Sequence, residues 1–358
     1  MTRTPRSPVT GVPAPLPTEE AGDRAAPRPV PGIWLAVLAA PVALSANGPA
    51  LILGDIGDGL DVSVTTVTWM VTAFGWAVAV GTPVAAALLR RRGVRLTLGL
   101  STAAVLTGVL LIALASWFPL VLVARAVLGL GGAGLVTSAM NLAGTVRRMG
   151  WITAGSGVFG AVGPLAGKLL DDGLSWRVSL GVQLLCLLAL PVVLRRLPEE
   201  LAGRREGSLD ARGAALLFAL VTALVGMVRF PGPALGCAAV VAVLLALHVR
   251  ARPDGFAPAA LVRSPVFLAA AGLAFALSTS YFALLYSVPR VLADRVDWST
   301  RAIGVGQMAA LLAGSALSWF LAAVAARLRR PVVLTVLLGL GVLAPVAAAL
   351  TPWAPVLF

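Results

Sequence analysis

Charged residues are scarce in this chain. Of its 358 residues, 12% are charged and 59% are hydrophobic, whereas about a quarter of an ordinary soluble domain is charged. This deficit excludes a soluble domain of the usual kind. The hydrophobic residues form about eleven long stretches, most of them near the roughly 20 residues that a helix needs to cross the hydrocarbon of a membrane. The sequence therefore predicts an all-α polytopic membrane protein.

Residues for metal and redox chemistry are also few. The cysteines, Cys186 and Cys237, lie in separate apolar stretches, and His248 is the single histidine. A disulfide framework and a histidine-based metal site are therefore excluded, and no stretch resembles an ATP-binding loop. The adjacent acids Asp171 and Asp172 give only weak support to a membrane-embedded enzyme. We expect no metal, no cofactor and no enzymatic activity.

The net charge of +13 could indicate a nucleic-acid partner, but the arginines are concentrated in alternate connections between the apolar stretches. This asymmetry is typical of cytoplasmic loops. It predicts a cytoplasmic N-terminus in the inner (plasma) membrane, the lipid bilayer as partner, and no nucleic-acid partner. The predicted spans are 33–54, 62–89, 96–116, 118–146, 149–167, 178–194, 213–228, 230–247, 266–289, 302–326 and 331–351.

Two polar segments stand outside these spans. Residues 1–31 are rich in proline and carry scattered charges, which predicts a disordered cytoplasmic tail. Residues 195–212 are charged and contain Pro198 and Gly203. They predict a cytoplasmic linker after a first bundle of six spans, residues 32–194.

Five short motifs occur in a family-specific order along the chain. Together they resemble the major facilitator superfamily, and within it the fourteen-helix drug:proton antiporters of the EmrB/QacA-like group, over about residues 33–351. The resemblance implies the major facilitator fold and a secondary transporter that exports drugs. The motifs are Trp69–Phe74, Arg125–Gly129, Gly155–Gly167, Ser175–Arg177 and Leu209–Gly213.

The resemblance implies an extra transmembrane hairpin, residues 213–250, between two bundles of six helices. Only three spans follow this hairpin, so residues 251–358 predict a partial C-terminal bundle. Helices are missing from the sequence, or a partner chain supplies them, or the protein does not transport. We favour a truncated or degenerate gene product among these alternatives.

A glycine-proline helix gives the strongest of the motifs. Gly155, Gly163, Pro164 and Gly167 lie in one apolar span, where glycine permits close helix contact and proline bends the backbone. The resemblance implies that this helix forms the contact between the two bundles of an exporter. Tight packing within any membrane bundle is the alternative.

Arg125 is the single ionisable residue inside the predicted spans. Burying an arginine in a membrane is costly, so it normally faces a cavity or a partner. The resemblance implies a role in proton transfer, and snorkelling to the interface is the alternative. No acid lies in any predicted span, and Ser45 stands where the family has an aspartate, so proton coupling is doubtful.

The connection after the second span resembles the family's cytoplasmic gating loop. The matching residues are Leu88, Arg91, Gly93 and Arg95, and Arg90 stands where the family has an aspartate. A positive anchor on the cytoplasmic side is the alternative function of these arginines.

A cavity in this protein is expected to be mostly apolar with a few polar groups, which would suit small hydrophobic or amphipathic substrates. Trp69 and Trp76 lie on one helix face, and lipid-facing tryptophan is their alternative. The sequence thus predicts a multidrug-type exporter, with an inactive remnant or membrane scaffold as the alternative and the oligomeric state open. The cavity candidates are Ser45, Asn47, Trp69, Trp76, Asn141 and Gln183.

Overall fold

The computed structural model describes residues 29–197, 210–252, 264–296 and 298–325, together with Thr335 and Gly339. Within these ranges every regular element is a helix. Nearly all of the predicted N-terminal tail, most of the predicted linker and nearly all of the last predicted span lie outside the described residues. The all-α membrane fold is confirmed for the described part of the chain, where six helical segments are long and apolar enough to cross a membrane.

The first helix is shorter than the predicted span 33–54. Helix α1 is Gly32–Asn47, and a 3-10 turn, Gly48–Leu51, follows it. Pro49 causes this end, because it has no N–H to continue the helical hydrogen bonds. Two short helices complete this region, α2 at Leu53–Leu60 and α3 at Val64–Val67.

The second and third predicted spans form one long element, α4, at Trp69–Ala113. A break at Gly93 divides it, with φ 82° and ψ 174°. Only glycine adopts this backbone conformation without severe strain. The predicted connection between the spans is therefore a single-residue break, and not a loop.

The remaining helices complete an N-terminal or first part, residues 32–196, and then form a hairpin, 211–251, and a second part, 265–325. In the first part, helix α5 (Phe118–Ala143) packs along α4, and helix α6 (Val146–Gly173) packs along α1. Side chains of Thr145, Ser175 and Asp210 cap helix N-termini by accepting backbone N–H groups. These helices are α5 Phe118–Ala143, α6 Val146–Gly173, α7 Trp176–Leu180, a 3-10 segment Gly181–Ala189, α8 Leu190–Arg196, α9 Ala211–Gly226, α10 Pro231–Ala251, α11 Pro265–Val296 and α12 Thr300–Ala325.

The buried core lies in the N-terminal part. Its apolar side chains come mainly from α1, α4, α5 and the helical run 176–196. Helices α9 and α10 pair as a hairpin beside α4. Helices α10 and α11 leave most of their apolar side chains exposed, as expected where hydrocarbon, and not water, surrounds them.

Candidate transport site

A cavity of about 500 Å³ lies between the N-terminal part and the helices that follow the hairpin. Helices α1 and α6 form one wall, and α11 and α12 form the other. Its lining is mostly apolar with a few polar groups, which is typical of sites for small organic molecules. The lining residues are Ala43, Ala46, Asn47, Ser156, Gly157, Gly160, Ala161, Tyr281, Phe282, Ala310, Leu311, Gly314 and Ser315.

Asn47 connects three of the helices around this cavity. Its Nδ2 donates to the carbonyl oxygen of Gly160 on α6 at 2.9 Å and to the hydroxyl oxygen of Tyr281 on α11 at 2.6 Å. Pro164, four residues after Gly160, has no N–H to donate to that carbonyl within the helix. Asn47 therefore satisfies the polar group that Pro164 leaves without a helical partner.

The same arrangement occurs between α11 and α12. Nε2 of the buried Gln307 donates to the carbonyl oxygen of Leu285 at 2.8 Å, and Pro289 lies four residues after Leu285. Gln307 is not among the residues predicted from the sequence. A sequence pattern could have predicted Gln307: an amide side chain in one apolar helix that follows another apolar helix containing a proline.

Arg125 lies in the interior of the N-terminal part and is fully buried. Its two terminal nitrogens donate to the hydroxyl and carbonyl oxygens of Ser45, each at 3.1 Å. Pro49 lies four residues after Ser45, so this carbonyl also lacks a helical donor. The guanidinium carbon lies 4.3 Å from the ring centroid of Phe74, and no ion pair forms with Arg125 among the described residues.

The structure places the predicted glycine motif against α1. A Cβ atom at Gly163 would lie 3.0 Å from Cβ of Asn47, and one at Gly155 would lie 3.1 Å from Cβ of Ala36. The motif glycines that face α1 therefore pack within the N-terminal part. Helix α6 itself also contacts α12, and the role of the motif in the contact between the two bundles stays a prediction. A different glycine of the helix, Gly157, faces Ser315 of α12.

The other cavity candidates are dispersed. Trp69 and Trp76 line a separate apolar groove of about 340 Å³ between α4, α5 and α9, and Trp76 donates through Nε1 to Thr222 Oγ1 at 3.0 Å. Gln183 is buried and donates to the carbonyl of Leu128 at 3.0 Å, while Asn141 is exposed near the end of α5. Of the six candidates, only Asn47 lines the 500 Å³ cavity.

The predicted gating residues surround the break in α4. Gly93 is the break itself, and Leu88 and Arg91 are half-buried on its N-terminal side. Arg95 donates to the carbonyl oxygen of Leu197, just after α8, at 3.1 Å. These contacts join the break to the end of the first part, and their role in gating stays a prediction.

A group of ionic side chains lies at the C-terminal end of α6, just beyond the predicted span 149–167. Lys168 Nζ lies 3.0 Å from a carboxylate oxygen of Asp55, 3.4 Å from one of Asp171 and 2.9 Å from one of Asp172. Burial lowers the pKa of Lys168, but the interactions with Asp172 and Asp55 outweigh it, so the pKa is raised. Burial and the neighbouring Asp55 raise the pKa of Asp171, which Lys168 opposes.

Substituting Lys168→Met is expected to lower stability at neutral pH by roughly 1–2 kcal/mol, because it leaves Asp171 near Asp55 without a cation. In the wild type, the contribution of Lys168 is full at neutral pH, where its carboxylate partners are ionised, and it is lost as the pH rises through the raised lysine pKa. In the variant, protonation of Asp171 relieves the repulsion. In thermal unfolding in detergent, the difference in melting temperature between the wild type and the variant should therefore decrease as the pH falls toward about 4. A difference that does not depend on pH would contradict the ion-pair explanation.

Comparison with known families gives one assignment. The family model of the Major Facilitator Superfamily matches residues 33–358. No curated protein matches the chain.

Proposed function

Since this chain belongs to the major facilitator superfamily, a family of secondary transporters, we propose that it exports small hydrophobic or amphipathic compounds through the 500 Å³ cavity. The family and the apolar helices make it a multi-pass membrane protein. We further propose the drug-exporting EmrB/QacA-like group as its place in the family, and the inner membrane with a cytoplasmic N-terminus as its location.

The cavity between the two parts carries this proposal. Transporters commonly bind substrates between two structural units that move relative to each other. Here α1 and α6 belong to the first part, and α11 and α12 follow the hairpin. Apolar groups from Ala43, Ala161 and Leu311 would contact the body of a ligand, and the Asn47, Ser156 and Ser315 side chains would offer a few hydrogen bonds.

Proton coupling is not part of the proposal. A proton-coupled carrier ordinarily uses an intramembrane carboxylate or histidine, and no Asp, Glu or His lines the cavity in the part of the chain that the structure describes. Ser45, where the family has an aspartate, instead accepts a hydrogen bond from Arg125.

A pair of neighbouring substitutions on α12 tests the proposal. Ala310 lines the cavity, whereas Ala309 is exposed on the outside of the same helix. Ala310→Trp is expected to fill the cavity and reduce export of an amphipathic dye to the level of cells with an empty vector, while Ala309→Trp exports like the wild type. Retention of the dye in energised cells that lack other exporters gives the measurement, with membrane abundance of each variant as the control.

An inactive membrane scaffold is the second candidate function. Ser45 and Arg90, which stand where the family has aspartates, favour it. If wild-type cells retain the dye as fully as cells with the empty vector, despite normal membrane abundance, export is wrong and the scaffold is favoured.

A further inference from the structure

We propose that Arg125 binds an acidic group, so that the compounds this transporter carries are amphipathic acids bearing a carboxylate or sulfonate. This inference rests on the proposed function for its substrate class, but the anion site itself can be tested by binding alone.

Arg125 is a buried cation whose charge no acidic side chain among the described residues compensates. Its side chain is fully buried, and its hydrogen-bond partners are the neutral hydroxyl and carbonyl of Ser45. Among the described residues, the acids that form ion pairs do so with Lys168 or His248. An unpaired charge inside a membrane protein costs several kcal/mol, and this makes the position favourable for an anion.

The neutral neighbours compensate the charge only in part. The Phe74 ring and the carbonyl at the C-terminal end of α1 are both attractive to a cation, yet neither carries a formal negative charge. In addition, Nε of Arg125 is buried and has no acceptor in the part of the chain that the structure describes. A guanidinium presents its donors in a planar fork that matches a carboxylate, so an anion would supply both the missing charge and the missing acceptor.

A side chain of the second part lies near this site. Tyr286 is on α11, and its hydroxyl donates to the carbonyl oxygen of Ala46 at 3.2 Å. Ala46 lies next to Ser45 and lines the 500 Å³ cavity. Movement of α11 away from α1 would withdraw Tyr286 from Ala46. A ligand would then place its apolar body in the cavity and its acidic group at Arg125.

The test uses ligands that share one ring system and differ in charge. The full chain in phosphatidylcholine nanodiscs is titrated calorimetrically with 2-naphthylacetate, 2-naphthylacetamide and 2-naphthylethylammonium, in sulfate and in chloride buffers. We expect the wild type to bind the acetate at least about tenfold more tightly than the acetamide, because a hydrogen bond to a charged group is stronger than a neutral one. Counterflow in proteoliposomes then measures transport of the same ligands.

Variants separate charge from size. Ser45→Asp supplies an internal carboxylate to Arg125, so the preference for the acetate should disappear and the melting temperature should rise. Ser45→Asn adds similar bulk without charge and should retain the preference. Arg125→Gln can still donate to the Ser45 carbonyl but lacks the charge, and it should also lose the preference.

The outcomes distinguish the anion site, the acidic substrate class and the proposed export function. Equal binding of acetate and acetamide by the wild type, or a preference that survives Ser45→Asp, overturns the anion site. Stabilisation by chloride that the acetate does not displace assigns the site to an inorganic ion and overturns the substrate class. If the acetate binds with the expected dependence on Ser45 but no ligand is transported, the proposed function fails while the anion site stands. If the amide or the cation is transported with no preference for the acetate, the proposed export function stands and the anion site at Arg125 fails.

Discussion

Replacing Asn47 with leucine is expected to destabilise the folded protein by about 2–3 kcal/mol, because a buried carbonyl is left without a donor. Asn47 is buried and donates to Gly160 on one side and to Tyr281 on the other. Leucine has a similar size but no hydrogen to donate. The membrane interior offers no water to replace the lost bond, so the melting temperature in detergent and in lipid should fall together.

A second substitution gives this prediction its control. Pro164→Ala restores a backbone N–H that can reach the Gly160 carbonyl within the helix. In the Asn47→Leu background, Pro164→Ala should therefore recover about 1 kcal/mol or more of the loss, whereas in the wild-type background it should gain less. Strictly additive effects of the two substitutions would show that the carbonyl is not the shared cause.

Gly167→Ala is expected to have the other large effect. A Cβ atom there would overlap the carbonyl oxygen and main chain of Gly48. The three nearest atoms are the carbonyl oxygen, the carbonyl carbon and Cα of Gly48. All are backbone atoms, so no side chain can rotate away, and α6 would have to separate from the turn after α1. Overpacking of this kind typically costs about 1–3 kcal/mol and sometimes more. Folded yield on size-exclusion chromatography and the melting temperature should both fall.

Gly150→Ala is the matched control for this substitution. Gly150 lies in the same helix, and no atom of the described residues beyond its own helix backbone and chain neighbours lies within 4 Å of a Cβ atom placed there. Alanine favours the helix over glycine by about 1 kcal/mol, so this variant should be at least as stable as the wild type. Equal losses from both substitutions would assign the effect to the helix backbone and not to the contact with Gly48.

The membrane fold could be predicted because the membrane imposes a one-dimensional pattern, in which long apolar stretches must become helices. Where local chemistry intervenes, that pattern is insufficient. The span predicted as 33–54 ends at Asn47 because Pro49 interrupts its hydrogen bonds. At Gly93 the helix is broken at a single residue. Hydropathy averaged over a window of many residues does not detect a break of this length.

The candidate site was less predictable because its contacts are tertiary. Sequence reasoning selected Asn47 for its polarity in an apolar span, but its partner, the Gly160 carbonyl, is identified only by the packing of α1 on α6. Gln307 was overlooked for the same reason. Trp69 and Asn141 were selected on the same ground, as polar or amphipathic residues in apolar spans. Trp69 instead lines the separate groove, and Asn141 is exposed near the end of α5. These positions depend on how neighbouring helices pack, which the sequence alone does not give.

The hairpin of α9 and α10 lies beside α4, held there by the bond from Trp76 to Thr222 and by the edge-to-face contact of Trp76 with Phe218. A pair of antiparallel crossings returns the polypeptide to the leaflet from which it departed. If both helices cross the membrane, as the sequence predicts, α11 starts from the same leaflet whether or not the pair is present. The orientation of the later helices is then unchanged, and the pair enlarges the lipid-facing perimeter without inverting anything downstream.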